Sequence, residues 1–337
     1  MAKKKITIKD VAKHSGVSIT TVSLILNGKE ERFSQQTVQK VLAAKEALGY
    51  QPDYFARQMI TKETKTIGVL VPDITNPFFS TLTRGIEDIL YQQHFVTILC
   101  NADSDHQKEI EYLFELTRRG VDGFIIATSA VTTNAINENL KKQGRPFIVL
   151  DQKKSEGFSD SVRTDDFRGG YLAGMHLLSL GHKEIALVYP ENPPENVQER
   201  IEGFKSALDV YQISYDHLLL LPTHFSKQGG YDVVSGLLGS SATAVFSLND
   251  ELAFGLYRGL EEAGKKIPED YSIIGYDNVD MCEYVKPKLT TIAQPIFELG
   301  QASAQLLLDR IHFPEKDWEE KLLPVRLEKR FSTAPLK

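Results

Sequence analysis

The chain has 337 residues, 42% hydrophobic and 25% charged, with a formal net charge of −6. That length suits two or three domains with a sizeable core, and the longest apolar runs, such as Ile67–Pro72, are strand-length, which excludes a membrane span. The two cysteines, Cys100 and Cys282, stand in unrelated contexts, so a disulfide scaffold or zinc ribbon is excluded and both are expected to be buried thiols.

Charge is unevenly placed. Residues 1–62 carry eleven Lys/Arg against five Asp/Glu, a net +6, which leaves −12 for the remainder. A basic head on an acidic body suits a polyanion-binding module joined to a part that does not bind polyanions. The first residues, MAKKKITIKD, have no apolar stretch behind the lysines. A secretory signal is therefore not expected, and a cytoplasmic protein is.

Thr7 with Asp10 three residues on forms a capping-box-like start. A short helix carrying Val11 and Ala12 inward follows and ends at Ser15-Gly16. Ser18 caps a second helix that stops at Asn27-Gly28. Ser34 caps a third over Gln35–Leu48, with Gly49 beyond it. Val38, Val41, Leu42 and Leu48 have helical spacing in the third. Three short helices with a glycine-containing turn between the first two describe a helix-turn-helix. Val17, Val22 and Leu26 can face the neighbouring helices, which turns Ser18, Ile19, Thr20, Ser23 and Asn27 outward. In such a motif the second helix enters the DNA major groove by its N-terminal end, where small hydroxyl side chains can meet base edges or phosphates.

The runs TIKDVAKHSGVSITTVSLILNG and FSQQTVQKVLAAKEALGYQPDYFAR closely resemble the DNA-binding head of the lac/gal repressor family over residues 6–60. The resemblance implies DNA contacts from Thr7, Ser18, Ile19, Thr20, Ser23, Leu24, Asn27 and Tyr50, with Ile19 and Thr20 as base readers. Leu24 departs from the family, which has Arg or His there. Leucine cannot grip guanine through two hydrogen bonds, though it can touch a thymine methyl. Residues 51–64 match the family's hinge, which folds on DNA. There Ala56 and Arg57 follow the pattern, and Met59 replaces the leucine that wedges into the minor groove.

Beyond Thr66, strand-like runs alternate with amphipathic helices. Strands are expected at Thr66–Pro72, Val96–Asn101, Gly123–Ala127, Phe147–Leu150, Ile185–Tyr189, Leu218–Leu221, Ala244–Ser247 and Ser272–Tyr276. Helices are expected between them, among them Phe79–Gln92, Gln107–Arg119, Tyr171–Leu180, Glu199–Tyr211 and Asp250–Glu262. The alternation predicts an α/β fold with parallel sheets covered on both faces, and ligands at the carboxyl ends of the strands. No GxGxxG or GxxxxGK[ST] motif occurs, and the eight histidines are not clustered, so no nucleotide cofactor and no metal are expected.

Polar and aromatic groups gather at the predicted strand ends: DITNPFF, LDQ, Arg200 in NVQERIEGF, Asn249 and Asp250 in SLNDELAFG, Asp277 in IGYDN, and Gln294 in TIAQP. Carboxylates accept from paired hydroxyls, amides and guanidinium donate, and aromatic faces cover C–H surface, which together suit a neutral polyhydroxylated ligand. This part resembles the periplasmic sugar-binding fold that completes lac/gal repressors, and within it the ribose-binding proteins and ribose repressors most. The resemblance implies ligand contacts from Asn76, Phe78, Phe79, Asp151, Gln152, Arg200, Phe225, Asn249, Asp277 and Gln294. Gln152 stands where ribose binders have arginine, exchanging a charged fork for a neutral amide.

The expected organisation is a helix-turn-helix domain at 1–50, a hinge at 51–64, and an effector and dimerisation domain at 65–337. The last comprises two parallel-sheet α/β lobes, one over about 65–162 and 295–322, the other over about 163–293 and 323–337. The expected function is transcriptional repression of sugar-utilisation genes by a homodimer on double-stranded operator DNA, set by ribose or a related sugar, with no membrane partner. Alternatives are the same architecture answering to another sugar, a purine or a phosphoprotein. A sugar-modifying enzyme, with acid–base groups drawn from Asp151, Asp250, Asp277 and His182, has no nucleophile–base motif to support it, and a non-enzyme is expected.

Overall fold

The computed structural model describes residues 6–51, 63–128, 132–150 and 159–336. The expected hinge residues Ala56, Arg57 and Met59 lie outside these ranges, as do Asp151 and Gln152. The chain divides into two compact units, residues 1–64 and 65–337.

The first unit holds α1 (Ile8–Ser15), α2 (Ile19–Leu26) and α3 (Gln35–Leu48). Each start has a local cause. The Asp10 carboxylate accepts from both the Thr7 N–H and O–H, at 2.8 and 2.7 Å. Ser18 and Ser34 each accept the N–H three residues on, from Thr21 at 3.0 Å and Thr37 at 3.3 Å, filling an otherwise orphaned donor. Gly16 and Gly49 end α1 and α3 in the left-handed region that glycine enters without penalty. Val11, Ala12, Val22, Ile25, Val41, Ala44 and Tyr50 form the core. Two details differ from the sequence reading. Ile25, three residues after Val22, is the second buried anchor of α2, while Leu26 is half-buried. Leu42 points outward at 41% exposure, because the stripe of α3 runs through Val41 and Ala44 instead.

In the second unit two sheets alternate with helices. The first sheet has the order β11-β5-β4-β3-β1-β2, from β1 (Thr66–Val71), β2 (Val96–Asn101), β3 (Gly123–Ile126), β4 (Phe147–Leu150), β5 (Asp160–Thr164) and β11 (Glu320–Leu323), all parallel. The second has the order β12-β10-β9-β8-β6-β7, from β6 (Ile185–Pro190), β7 (Leu218–Thr223), β8 (Ala244–Ser247), β9 (Ser272–Asp277), β10 (Thr290–Ala293) and β12 (Arg326–Glu328). It is parallel apart from its edge, where β12 runs antiparallel to β10.

The eight strands expected from the sequence are all present, within two residues at their ends. Four others were not anticipated. β5 reads DSVRT and lacks an apolar run, yet it is buried between β4 and β11, where Arg310 satisfies the Asp160 carboxylate, its Nε 2.7 Å from Oδ2. β10, β11 and β12 are three or four residues long and gain strand form only by adding to existing sheets. The helices that carry the candidate site groups are α4 (Pro77–Gln92), α7 (Asp166–Ser179), α8 (Glu195–Val210) and α11 (Asp250–Glu262); α5 (His106–Arg118) and α6 (Thr133–Asn139) lie between α4 and α7, and α9 (Lys227–Asp232) and α10 (Val234–Leu238) between α8 and α11. A long α12 (Ile296–His312) packs beside α4, where the Gly85 backbone lies so near that a Cβ there would meet the Phe297 carbonyl at 2.1 Å. No helix among the described residues is long and apolar enough to cross a membrane.

Candidate functional site

Residues that follow the carboxyl ends of strands in both sheets enclose a cavity of about 430 Å³. Seven of the residues expected to bind ligand line it: Asn76, Phe78, Phe79, Arg200, Phe225, Asn249 and Asp277. Asp73, Ser104, Asn192 and Asn196 line it too and were not singled out as ligand contacts. Asn196 stands at the start of α8 one turn before Arg200, a spacing that shares a helix face and could have drawn attention to it.

The first-sheet side is aromatic, with the Asp73 carboxylate at its edge. Asn76 caps α4, its Oδ1 accepting the Phe78 N–H at 2.9 Å. Pro77 starts the helix with a ring that needs no N–H partner. Phe78 and Phe79 then meet edge to face, 5.0 Å between centroids.

The second-sheet side is polar, and much of it is buried. Arg200 is 3% exposed. Its Nε donates to Asp166 Oδ1 at 2.7 Å, its Nη1 donates to the Leu248 carbonyl at 2.7 Å, and Nη1 lies 4.0 Å from Asp277 Oδ1. The Tyr276 ring lies under the guanidinium at 3.7 Å, and the Tyr276 hydroxyl donates to the same Asp166 oxygen at 3.0 Å. A cation held this way presents a fixed donor edge with its charge already balanced. Asp166 was missed in the sequence because it is a first-turn acid on α7, a position where acids are common for helix-dipole reasons alone.

Asn249 caps α11 by accepting the Leu252 N–H at 2.8 Å. Its Nδ2 is buried and has no hydrogen-bond partner among the described residues. A buried donor left unmet is costly, so one lining a cavity is poised for an acceptor from a ligand. The adjoining Glu251 carboxyl is pushed up by burial, against its ion pair with Lys227 at 3.2 Å, while Asp73 adds to the rise.

Gln294 is placed differently from the expectation. It does not line the cavity; it stands behind Asp277, donating to its Oδ1 at 2.7 Å and accepting from Thr164 Oγ1 at 2.8 Å. It thereby joins the end of β5 to the end of β10, the places where the chain leaves one sheet for the other. Of the acid–base groups considered for an enzyme, Asp250 and His182 also lie off the cavity. His182 is held between Thr243 Oγ1 and the Ala334 carbonyl, and burial lowers its pKa. No cluster of metal-ligating side chains occurs among the described residues.

In the first unit Ile19 is 44% exposed at the start of α2, beside exposed Ser18 and Thr20. Ser23, Leu24 and Asn27 are half-buried, and Asn27 Nδ2 donates to the Ser23 carbonyl at 2.8 Å. Thr7 commits its hydroxyl to Asp10. Tyr50, expected among the DNA contacts, packs in the head core at 8% exposure, because the turn after Gly49 folds its ring back onto the helices.

Residues 7–53 match the model of bacterial regulatory proteins of the lacI family, and residues 64–330 match that of periplasmic binding proteins and sugar binding domains of the LacI family. The chain belongs to the LacI family. It is a DNA-binding transcriptional regulator built from a helix-turn-helix head and a periplasmic-binding-protein-like body. The transcriptional regulator DegA of Bacillus subtilis is 38% identical over 98% of this chain and 99% of DegA. The repressor PurR of Vibrio vulnificus is 37% identical over 92% of this chain and 93% of PurR. A LacI-family regulator from Enterococcus faecium, solved with bound ribose, is 86% identical with a TM-score of 0.78, over 81% of this chain and all of that one. The lac repressor dimer bound to operator and an anti-inducer is 28% identical with a TM-score of 0.86, over 98% of this chain and all of that one.

Proposed function

We propose that this LacI-family regulator represses sugar-utilisation genes as a homodimer on operator DNA, and that ribose is the effector held in its cavity. Acting on DNA, it works in the cytoplasm. The observation that carries the reading is the convergence of Asn76, Phe78, Phe79, Arg200, Phe225, Asn249 and Asp277 on one cavity, with the arginine balanced by carboxylates. A phosphorylated sugar would need cationic groups to spare, and Arg200 is the one Lys or Arg among the described lining residues. A neutral polyol suits such a wall: hydroxyls meet Asp277, Arg200 and Asn249, and the phenylalanines cover C–H surface. The ribose-bound relative from Enterococcus faecium supports the same ligand. Asp151 and Gln152 would complete the polar shell, and Ile19 and Thr20 would read bases, with two heads spanning two half-sites.

The test is calorimetry of the full-length protein with D-ribose, other pentoses, hexoses and purines, followed by titration of cognate and random duplexes with and without the sugar that binds. Ribose heat together with sequence-specific, ribose-sensitive DNA binding is expected. Heat from a purine alone would remove the sugar reading, and equal grip on both duplexes would remove the regulatory one. Switching the head from mostly bound to mostly released requires the sugar to favour one state about 10⁴-fold.

A further inference from the structure

Asp277 reaches the cavity from an unusual backbone. Its φ is +119° and that of Asn278 is +63°, both in the left-handed half of conformational space that L side chains rarely adopt. Something must hold the turn there. Asp250 is the group placed to do so. Its side chain has no exposed surface and does not line the cavity. Oδ2 accepts the Val279 N–H at 2.9 Å and the Cys282 S–H at 3.1 Å, and Oδ1 accepts the Thr291 O–H at 2.7 Å. One carboxylate thus joins the turn after β9, the short 3₁₀ turn Asp280–Glu283 and strand β10. Strand β9 passes so close that a Cβ on Gly275 would lie 2.2 Å from Asp250 Oδ1. Asp250 also immediately follows Asn249, the capping residue whose Nδ2 is unmet in the cavity wall.

We propose that Asp250 is a positioning residue for effector recognition: it clamps the 277–282 turn against the start of α11 and so holds the Asp277 carboxylate and the Asn249 amide in their ligand-facing geometry. The proposal rests on the reading of the cavity as a sugar site. It makes sense of an acid in the middle of the SLNDELAFG run that lies off the cavity. The clamp requires the ionised form, because a protonated carboxyl loses acceptor capacity and cannot take all of these donors at once.

The clamp therefore predicts a pH dependence. Burial raises the Asp250 carboxyl to about 6, against the hydrogen bonds from Thr291, Val279, Cys282 and Asn278. Of the groups that face it, the Cys282 thiol is pushed up by burial and by Asp250 itself, and the Tyr257 hydroxyl on α11 is pushed up by burial. Asp277, with Arg200 beside it, lies on the cavity side; Arg330 and Glu283 lie on the outer side of the same turn. Bound sugar favours the clamped, ionised state and lowers this pKa, so affinity is full above pH 7 and falls as pH drops through about 6.

Calorimetry of the full-length protein with D-ribose and amide hydrogen exchange of the sugar-free protein test this together. The wild type should bind ribose about tenfold more weakly at pH 5.0 than at pH 7.5. Asp250→Asn should lose about tenfold at pH 7.5 and show a flat profile, with the Val279 amide exchanging about a hundredfold faster and the amides of α7 unchanged. Cys282→Ala, which removes one donor and is the gentler variant should Asp250→Asn not fold, should lose less affinity and keep the slope. Asp250→Asn with wild-type affinity and slope, or with Val279 still protected, would overturn the clamp. Should the wild type take no ribose at any pH, the ribose reading falls, and Val279 exchange still decides whether Asp250 holds the turn.

Discussion

The head and the body each place candidate recognition groups in the first turns of a helix, and they treat those groups in opposite ways. On α2 the groups stand in solvent: Ser18 spends its oxygen on capping, and Ile19 beside it is 44% exposed. On α8 and α11 they are buried: Arg200 is 3% exposed and Asn249 1%. The head can leave its readers outside because a duplex supplies the missing surface and because phosphate contacts fix the register. A body site for a small ligand must be assembled before the ligand arrives, since so few contacts cannot also meet the cost of ordering it. Recognition and folding are thus separable in the head and entangled in the body. Substitutions of these groups in the body should change stability and ligand affinity together, and substitutions of the exposed groups in the head should change affinity alone.

The strongest attempt to break that contrast is Arg200→Met. It leaves Asp166 and Asp277 without their cation in a site where all three are nearly buried. Removing one partner of a buried ion pair costs about 3–5 kcal/mol, so the urea midpoint should fall sharply and ribose heat should vanish. A variant as stable as the wild type would mean that the network is solvated and that the body resembles the head after all.

Phe79→Ala comes next. The ring is 8% exposed, packs edge to face on Phe78 and lines the cavity. Truncating a buried phenylalanine should cost about 3 kcal/mol of stability and, with the C–H platform gone, weaken ribose about tenfold. Thermal unfolding and calorimetry on one preparation read both effects. Loss of stability with affinity intact would move ligand recognition wholly onto the second-sheet side.

What the amino-acid sequence makes legible follows the same divide. Helix starts in the head are set within four residues: Ser18 with Thr21, Ser34 with Thr37, Thr7 with Asp10. Local rules therefore find all three helices. The parallel strands are legible because they are apolar runs between amphipathic helices. β5 is not, because it is polar and its partners come from far along the chain: β11 beside it, and Arg310, 150 residues from Asp160. The cavity shows the same pattern. Arg200, Asn249 and Asp277 are recognisable as polar groups in recurring motifs. The sequence does not reveal that Asp166 orients the arginine or that Gln294 stands behind Asp277 as a link to Thr164. Those pairings span 34, 17 and 130 residues, and the last exists only once the two sheets are in place. Tyr50 shows a second role that its place in the motif does not reveal, since its side chain packs in the head core.

Asn249→Ser separates the two roles of a single body residue. Serine caps a helix about as well as asparagine, so stability should change by no more than about 0.5 kcal/mol. The Nδ2 donor is lost, and ribose should weaken about tenfold, ~1.4 kcal/mol. Here the body can be made to behave like the head, because the cap uses Oδ1 and leaves Nδ2 without a partner among the described residues. Equal affinity in the serine variant would show that the unmet donor faces something other than the sugar.

The smallest expected effect is in the head. Ile19 contributes little to the head core, since Val22 and Ile25 supply the buried face of α2. Ile19→Ala should leave the unfolding midpoint within about 0.5 kcal/mol of wild type. Its cost should appear only on DNA, as a loss of about 1 kcal/mol on the cognate duplex and almost none on a random one, because an apolar side chain in the major groove reads thymine methyls rather than phosphates. Competition binding at fixed salt measures that difference without interference from the charge-driven term. An equal loss on both duplexes would place Ile19 against the sugar–phosphate backbone and pass base reading to Thr20 and Leu24. A loss of stability in the DNA-free protein would abolish the separation between folding and recognition on which the contrast with the body depends.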